Sequence, residues 1–123
     1  MRVRFGECVF DSEARELTRR GAAVQLSPKA FQLLSLLLER RPKAISRAEL
    51  HDLIWPKAFV AYTSLPRLVT EVRHAIGDLS RPARFVRTVH GFGYAFNAPE
   101  VQPEPEPALG SGNLRGWPSL PQS

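Results

Sequence analysis

Between Ser64 and Ile76, in the stretch SLPRLVTEVRHAI, the apolar residues Leu65, Leu68, Val69, Val72 and Ile76 recur at i, i+3, i+4, i+7 and i+11. That spacing puts all five along one side of an α-helix, and Gly77 supplies the stop. A helix this short with one apolar stripe gains its stability from the layer it lies on, so the stripe also decides which side chains face away from that layer. Those are Ser64, Arg67, Thr70, Glu71 and His74, with Arg73 at the edge.

The second constraint is FVRTVHGFGYAF at residues 85–96. Two glycines one residue apart can cradle a phosphate, but a dinucleotide fingerprint needs a third glycine where Phe96 stands. Such a loop must also open a helix, and Pro99 follows too closely for one. The composition predicts a hairpin instead, with Phe85 to Val89 and Tyr94 to Phe96 as strands and Gly91 and Gly93 taking positive φ in the turn.

Upstream, Ser27-Pro28 has the chemistry of a helix start, and Phe31, Leu34, Leu37 and Leu38 recur at helical spacing until Arg40-Arg41-Pro42. Ser46 to Glu49 reads as a capping box opening a second helix with Leu50, Leu53 and Ile54 on its apolar face, ended by Trp55-Pro56. A loop from Lys57 to Thr63 leads to the third helix. Before all of these, Val3, Phe5 and Val9 alternate with polar residues, broken at Gly6. Leu17, Val24 and Leu26 continue strand-like runs around a turn at Arg20-Gly21. The expected fold is α+β: an N-terminal antiparallel sheet, three helices and a C-terminal hairpin, which is a helix-turn-helix with a wing. In that arrangement the third helix offers its polar face to a DNA major groove, and the hairpin reaches backbone or minor groove.

Charge agrees with a polyanionic partner. Residues 1–98 hold 16 Lys plus Arg against 9 Asp plus Glu, net +7, whereas residues 99–123 hold 1 against 3, net −2. The division predicts a folded domain at 1–98 and an extended, disordered Pro-rich tail or linker at 99–123, where Pro-Glu-Pro-Glu-Pro and Gly-Ser-Gly cannot bury enough apolar area to offset ordering. Trp117 in that tail reads as a solvated aromatic. A single cysteine, Cys8, excludes a disulfide framework and reads as a packed thiol. With no run apolar enough to span a bilayer and no signal-peptide pattern, the expected location is cytoplasmic. His51, His74 and His90 have no metal-ligand spacing, and the adjacent His51 and Asp52 diverge on a helix, so no catalytic residue, metal or cofactor is expected.

Several segments together resemble the OmpR/PhoB-type winged-helix DNA-binding domains of bacterial transcription regulators. They are LSPKAFQLLSLLLERRPKAISRAEL, LIWP at 53–56, VRHAIGD at 72–78 and the terminal RTVHGFGYAF. The last is the most specific, since Thr88, Val89, Gly91, Gly93, Tyr94 and Phe96 occupy the fixed places of a Thr-Val-x-Gly-x-Gly-Tyr-x-Phe pattern. The resemblance implies base-facing roles for Ser64, Arg67, Thr70 and Glu71. It implies backbone or wing roles for Thr63, Arg73, His74, Arg87, Thr88, His90 and Tyr94, with His90 nearest the minor groove.

The chemistry of these side chains agrees only partly with those roles. Arg67 can bridge guanine O6 and N7, and the Thr88 and Tyr94 hydroxyls suit phosphate, although the Tyr94 ring equally suits a core. A carboxylate at Glu71 must accept from a cytosine amino group or pair with Arg67 four residues earlier, and the ion pair is the expectation. The implied partner is double-stranded DNA, bound as a homodimer or tandem pair on repeated half-sites, with RNA polymerase as a further candidate. The alternative is a winged-helix protein-interaction module docking a polymerase subunit or another regulator, to which an aromatic Phe92 between two glycines is suited.

Overall fold

A computed structural model describes residues 1–57, 63–81 and 83–97, and the backbone of Gln102–Pro103. In chain order the elements are β1 (Arg2–Phe5), β2 (Cys8–Asp11), β3 (Glu16–Arg19), β4 (Ala22–Ala23), α1 (Pro28–Arg40), β5 (Ile45–Ser46), α2 (Arg47–Ile54), α3 (Ser64–Ile76), β6 (Val86–Val89), β7 (Gly93–Phe96) and β8 (Gln102–Pro103). Among the described residues the strands form a five-stranded antiparallel sheet in the order β4-β3-β2-β1-β8 and a three-stranded sheet in the order β5-β7-β6. This is the expected winged helix-turn-helix. Residues 58–62 of the expected loop and Trp117 lie outside the described residues.

The turn chemistry places the N-terminal strands. Arg19 pairs with Ala22, leaving Arg20 and Gly21 as a two-residue loop with φ of 53° and 79°. Positive φ at both central residues is the hairpin turn whose twist matches the strands it joins. Gln102 pairs with Arg4 and Pro103 with Val3, so these two residues extend the sheet. Main-chain pairing needs no apolar side chain, which is why composition did not show it.

Helix α1 is the centre of the core. Ser27 caps it, its Oγ accepting from the Ala30 N–H at 3.3 Å, and Ala30, Phe31, Leu33, Leu34, Leu37 and Leu38 are all buried. Leu33 broadens the expected stripe because α1 is covered from more than one side, packing on α3 and on β7. The Phe10 and Phe31 rings stack with centroids 4.9 Å apart, joining α1 to the first sheet. Phe5 meets Phe96 edge-on at 5.0 Å and Phe85 at 5.5 Å, which ties that sheet to the wing. Ser46 caps α2 as expected, accepting from the Glu49 N–H at 3.1 Å, while the Glu49 carboxylate takes Arg40 at 2.9 Å. Leu53 departs from the reading of α2: it is 37% exposed, and only Leu50 and Ile54 of the expected face are buried.

The two hairpin glycines do different jobs. Gly91 has φ +74° in a turn closed by the Phe92 N–H on the Val89 carbonyl at 2.9 Å, as expected. Gly93 does not adopt positive φ. It pairs with Ser46, and a Cβ there would lie 1.9 Å from the Ile45 carbonyl oxygen, so its role is to let β5 approach β7. Gly93→Ala must push these backbones apart and is expected to lower stability by about 3 kcal/mol, against about 1 kcal/mol for Gly91→Ala, whose Cβ meets open space. Urea midpoints of the two variants check this; equal losses would contradict it.

Cys8 is 1% exposed and its Sγ lies 3.6 Å from the Ile76 carbonyl oxygen. Burial pushes the thiol up to about 11 against the opposing field of Arg19. Because the folded value lies above the unfolded one, the stabilisation is complete below about pH 9 and is lost as pH rises towards 11. The expected loss is about 2 to 3 kcal/mol relative to a Cys8→Ala protein followed over the same range by denaturant titration.

Candidate nucleic-acid interface

Helix α3 leaves through a Schellman turn. Gly77, at φ 75°, donates to the His74 carbonyl at 3.2 Å, and the Asp78 N–H reaches the Arg73 carbonyl at 2.8 Å. The turn aims Asp78 inward, where it is 3% exposed. Its carboxylate accepts from the backbone N–H groups of Arg84 at 2.7 Å, Phe85 at 3.0 Å and Val86 at 2.8 Å. Three amide donors replace the water that a buried carboxylate gives up. One side chain thereby joins the end of α3 to the start of β6.

Arg73 makes the parallel connection. Its Nε and Nη2 donate to the Val86 carbonyl at 3.0 and 2.7 Å, and Nη2 donates to the Thr88 Oγ1 at 3.0 Å. The guanidinium expected as a phosphate donor is committed to the wing strand. Receiving that bond leaves the Thr88 hydroxyl proton able to point outward.

The ion pair expected between Glu71 and Arg67 is corrected. The Glu71 carboxylate accepts from the Ser27 N–H at 2.7 Å and the Ser27 hydroxyl at 3.0 Å, at the N-terminus of α1, and does not pair with Arg67. Two donors and the positive end of a helix outweigh a solvent-exposed guanidinium. Sequence spacing shows neighbours along one helix and cannot show that α1 begins beside α3.

Among the other candidates, Thr63, Arg67, Thr70, His74, Arg87 and His90 are exposed, and Ser64 and Thr88 are half-buried. Tyr94 is 5% exposed and belongs to the core, the second of the two readings its chemistry allowed. An open groove of about 1050 Å³ runs between α3 and β6. Thr70, Arg73 and His74 border it from the helix, and Arg87, Thr88 and His90 from the wing. Ser64 and Arg67 lie elsewhere on the helix. Further lining residues, among them Leu79, Arg81 and Arg84, come from the connection between α3 and β6 and were missed. The available signal was the spacing of Arg81, Arg84 and Arg87 at every third position.

Charge is sorted across the surface. Arg2 pairs with Asp11 at 3.0 Å, Arg20 with Glu7 at 2.9 Å and Arg40 with Glu49 at 2.9 Å. Among the described residues no carboxylate pairs with Arg67, Arg81 or Arg87. The carboxylates of Glu71 on α3 and of Asp78 just after it are both held in hydrogen bonds with Ser27 or with backbone amides.

No group of three or more His, Cys, Asp or Glu able to hold a metal occurs among the described residues, and no helix there is long and apolar enough to cross a membrane. A third helix braced by side-chain hydrogen bonds against a C-terminal hairpin defines a winged helix-turn-helix. Residues 21–96 match the family described as "Transcriptional regulatory protein, C terminal", and the chain belongs to this family of OmpR/PhoB-type DNA-binding domains, which are not enzymes.

Its relatives include the transcriptional regulatory protein TrcR of Mycobacterium tuberculosis, 34% identical over 99 residues, covering 80% of this chain and 38% of TrcR. The response regulator DrrB of Thermotoga maritima, an OmpR/PhoB homologue, superposes with a TM-score of 0.71 at 26% identity, over 77% of this chain and 43% of DrrB. The DNA-binding domain of E. coli CadC gives a TM-score of 0.69 at 25% identity, over 84% of this chain and 96% of that domain. The chain thus spans about two fifths of the length of TrcR and of DrrB.

The Glu71 geometry predicts that Glu71→Ala costs about 2 to 3 kcal/mol by leaving Ser27 without its acceptor, while Arg67→Ala stays within about 0.5 kcal/mol. Thermal and urea unfolding check this; coupling between the two positions in a double-mutant cycle would restore the ion pair.

Proposed function

We propose that this domain binds double-stranded DNA sequence-specifically as part of a bacterial transcriptional regulator. Helix α3 lies in the major groove with Ser64, Arg67 and Thr70 towards the bases. One phosphodiester strand lies in the groove between α3 and the wing. There the Thr88 hydroxyl and Arg87 meet phosphates, His74 borders the strand, and His90 extends towards the minor groove. Thr63 sits exposed at the start of α3, beside the same backbone.

The observation that carries this reading is the sorting of charge. A face on which Arg67, Arg81 and Arg87 have no carboxylate partner among the described residues, and on which Glu71 and Asp78 are turned inward, presents a positive field over a groove between a helix and a hairpin. Binding as a homodimer or tandem pair on repeated half-sites is included in the proposal, since one α3 covers too few base pairs to define an operator.

Phe92 favours a second reading. It is 49% exposed at the wing tip, and its carbonyl accepts from the Arg47 N–H at 3.0 Å, so the aromatic ring is held out on a fixed support as a protein-docking anchor requires.

The test is selection of bound duplexes from a random pool, followed by affinity measured against salt. Arg67→Ala is expected to relax specificity at one position, at a cost of about 1 to 3 kcal/mol. Arg87→Ala is expected to weaken all sequences alike and to reduce the salt slope by about 1. No enriched motif, together with capture of a protein partner insensitive to salt, would favour the docking reading.

A further inference from the structure

Thr70 is the middle residue of the exposed stripe on α3, three residues after Arg67 and four before His74. A threonine on a helix that faces a polyanion is ordinarily read as a hydroxyl donor. Here the hydroxyl is already in use. Its Oγ1 donates to the Pro66 carbonyl one turn earlier at 3.0 Å, and that bond takes the one hydrogen the hydroxyl has. A helical threonine divides between two χ1 rotamers, and a bond of this kind selects one of them. Because Oγ1 and Cγ2 share one Cβ, turning the oxygen back along α3 also fixes the methyl branch. The side chain is exposed and borders the groove between α3 and the wing. What it offers outward is a methyl group held in one rotamer and an oxygen that can only accept.

We infer that Thr70 selects thymine, its Cγ2 methyl packing on the thymine C5-methyl in the major groove. This rests on the DNA-binding reading and deepens it by naming the base at one contact. Guanine O6 and N7, adenine N7 and thymine O4 are all acceptors, and to donate to any of them Thr70 must release the Pro66 carbonyl. The C5-methyl asks for no donor, and an apolar branch already fixed in one rotamer meets it at little ordering cost. The helix also sets where that thymine lies. Arg67 and Thr70 are three residues apart, about 4.5 Å along the axis, and successive base pairs are about 3.4 Å apart. The thymine is therefore within about two base pairs of the base that Arg67 reads.

The experiment uses the full chain and the duplex that it enriches, with each thymine of the recognised motif replaced in turn by deoxyuridine, which lacks only the C5-methyl. Affinity is measured by fluorescence anisotropy. One replacement, within about two base pairs of the position relaxed by Arg67→Ala, is expected to weaken binding about three- to five-fold, as loss of one buried methyl-sized group implies. Thr70→Val keeps a methyl branch without the hydroxyl and should retain that difference. Thr70→Ser keeps the hydroxyl without the methyl and should bind the thymine and deoxyuridine duplexes alike. It should also match the parent on the deoxyuridine duplex, which shows that the variant is folded. A difference that survives in Thr70→Ser would assign the methyl contact to another side chain and overturn the inference. Weaker binding of both duplexes by Thr70→Val, with no difference between them, would assign the contact to the hydroxyl, accepting from an adenine or cytosine amino group, and overturn it as well. A motif that the parent enriches but in which no thymine responds to deoxyuridine would overturn the inference and leave the DNA-binding reading intact. Absence of any enriched motif would remove the reading on which the inference stands.

Discussion

The relation between the helix and the wing depends on one buried carboxylate. Asp78 enters the interior only because Gly77 takes a left-handed conformation at the end of α3, and once there it satisfies three consecutive amides at the start of β6. Each charge-assisted bond of this kind contributes about 1.5 to 3 kcal/mol, and leaving those donors buried without an acceptor costs a comparable amount. The carboxylate also uses amide donors at the outer edge of a three-stranded sheet, while Arg73 fills the Val86 carbonyl on the same strand. At Val86 the edge that would otherwise invite another strand is closed by side chains from α3 and from the turn after it.

The inward turning of carboxylates has an electrostatic result. Glu71 stands on the polar side of α3 by position, yet its charge is directed to the start of α1. A basic surface can be made by adding arginines or by withdrawing acids, and this fold does both on one side. On the first sheet and near α2, Arg2, Arg20 and Arg40 have carboxylates of their own. Net charge alone says little about where a polyanion would sit; the pairing pattern gives a direction.

The fold was legible because its local signals agree with its tertiary needs. The bounds of α1 and α3 follow from Ser27-Pro28 and from Gly77, and the stripe of α3 is the face that is buried. What could not be read depends on contacts between segments distant in sequence. Gly93 looks like a turn residue until β5 is seen to lie against it. Glu71 looks like a partner of Arg67 until Ser27 arrives beside it. Leu53 fits the periodicity of α2 but stays partly outside, since periodicity gives direction around a helix and not the extent of the neighbouring layer. Gly77-Asp78 was legible only as a stop, and the three amides that make Asp78 central belong to a strand several residues away.

The carbonyl of Phe92 at the hairpin tip is bonded to the first amide of α2, and β5 just before that helix pairs with β7. At its other end the hairpin is bound to α3 through Arg73 and Asp78. The wing is therefore a strap with one buckle on each helix of the helix-turn-helix, and not an arm swinging from the body. A displacement of α2 against α3 would load the strap along its length, so whatever grips the surface held between them meets the two helices and the hairpin as one stiff jaw.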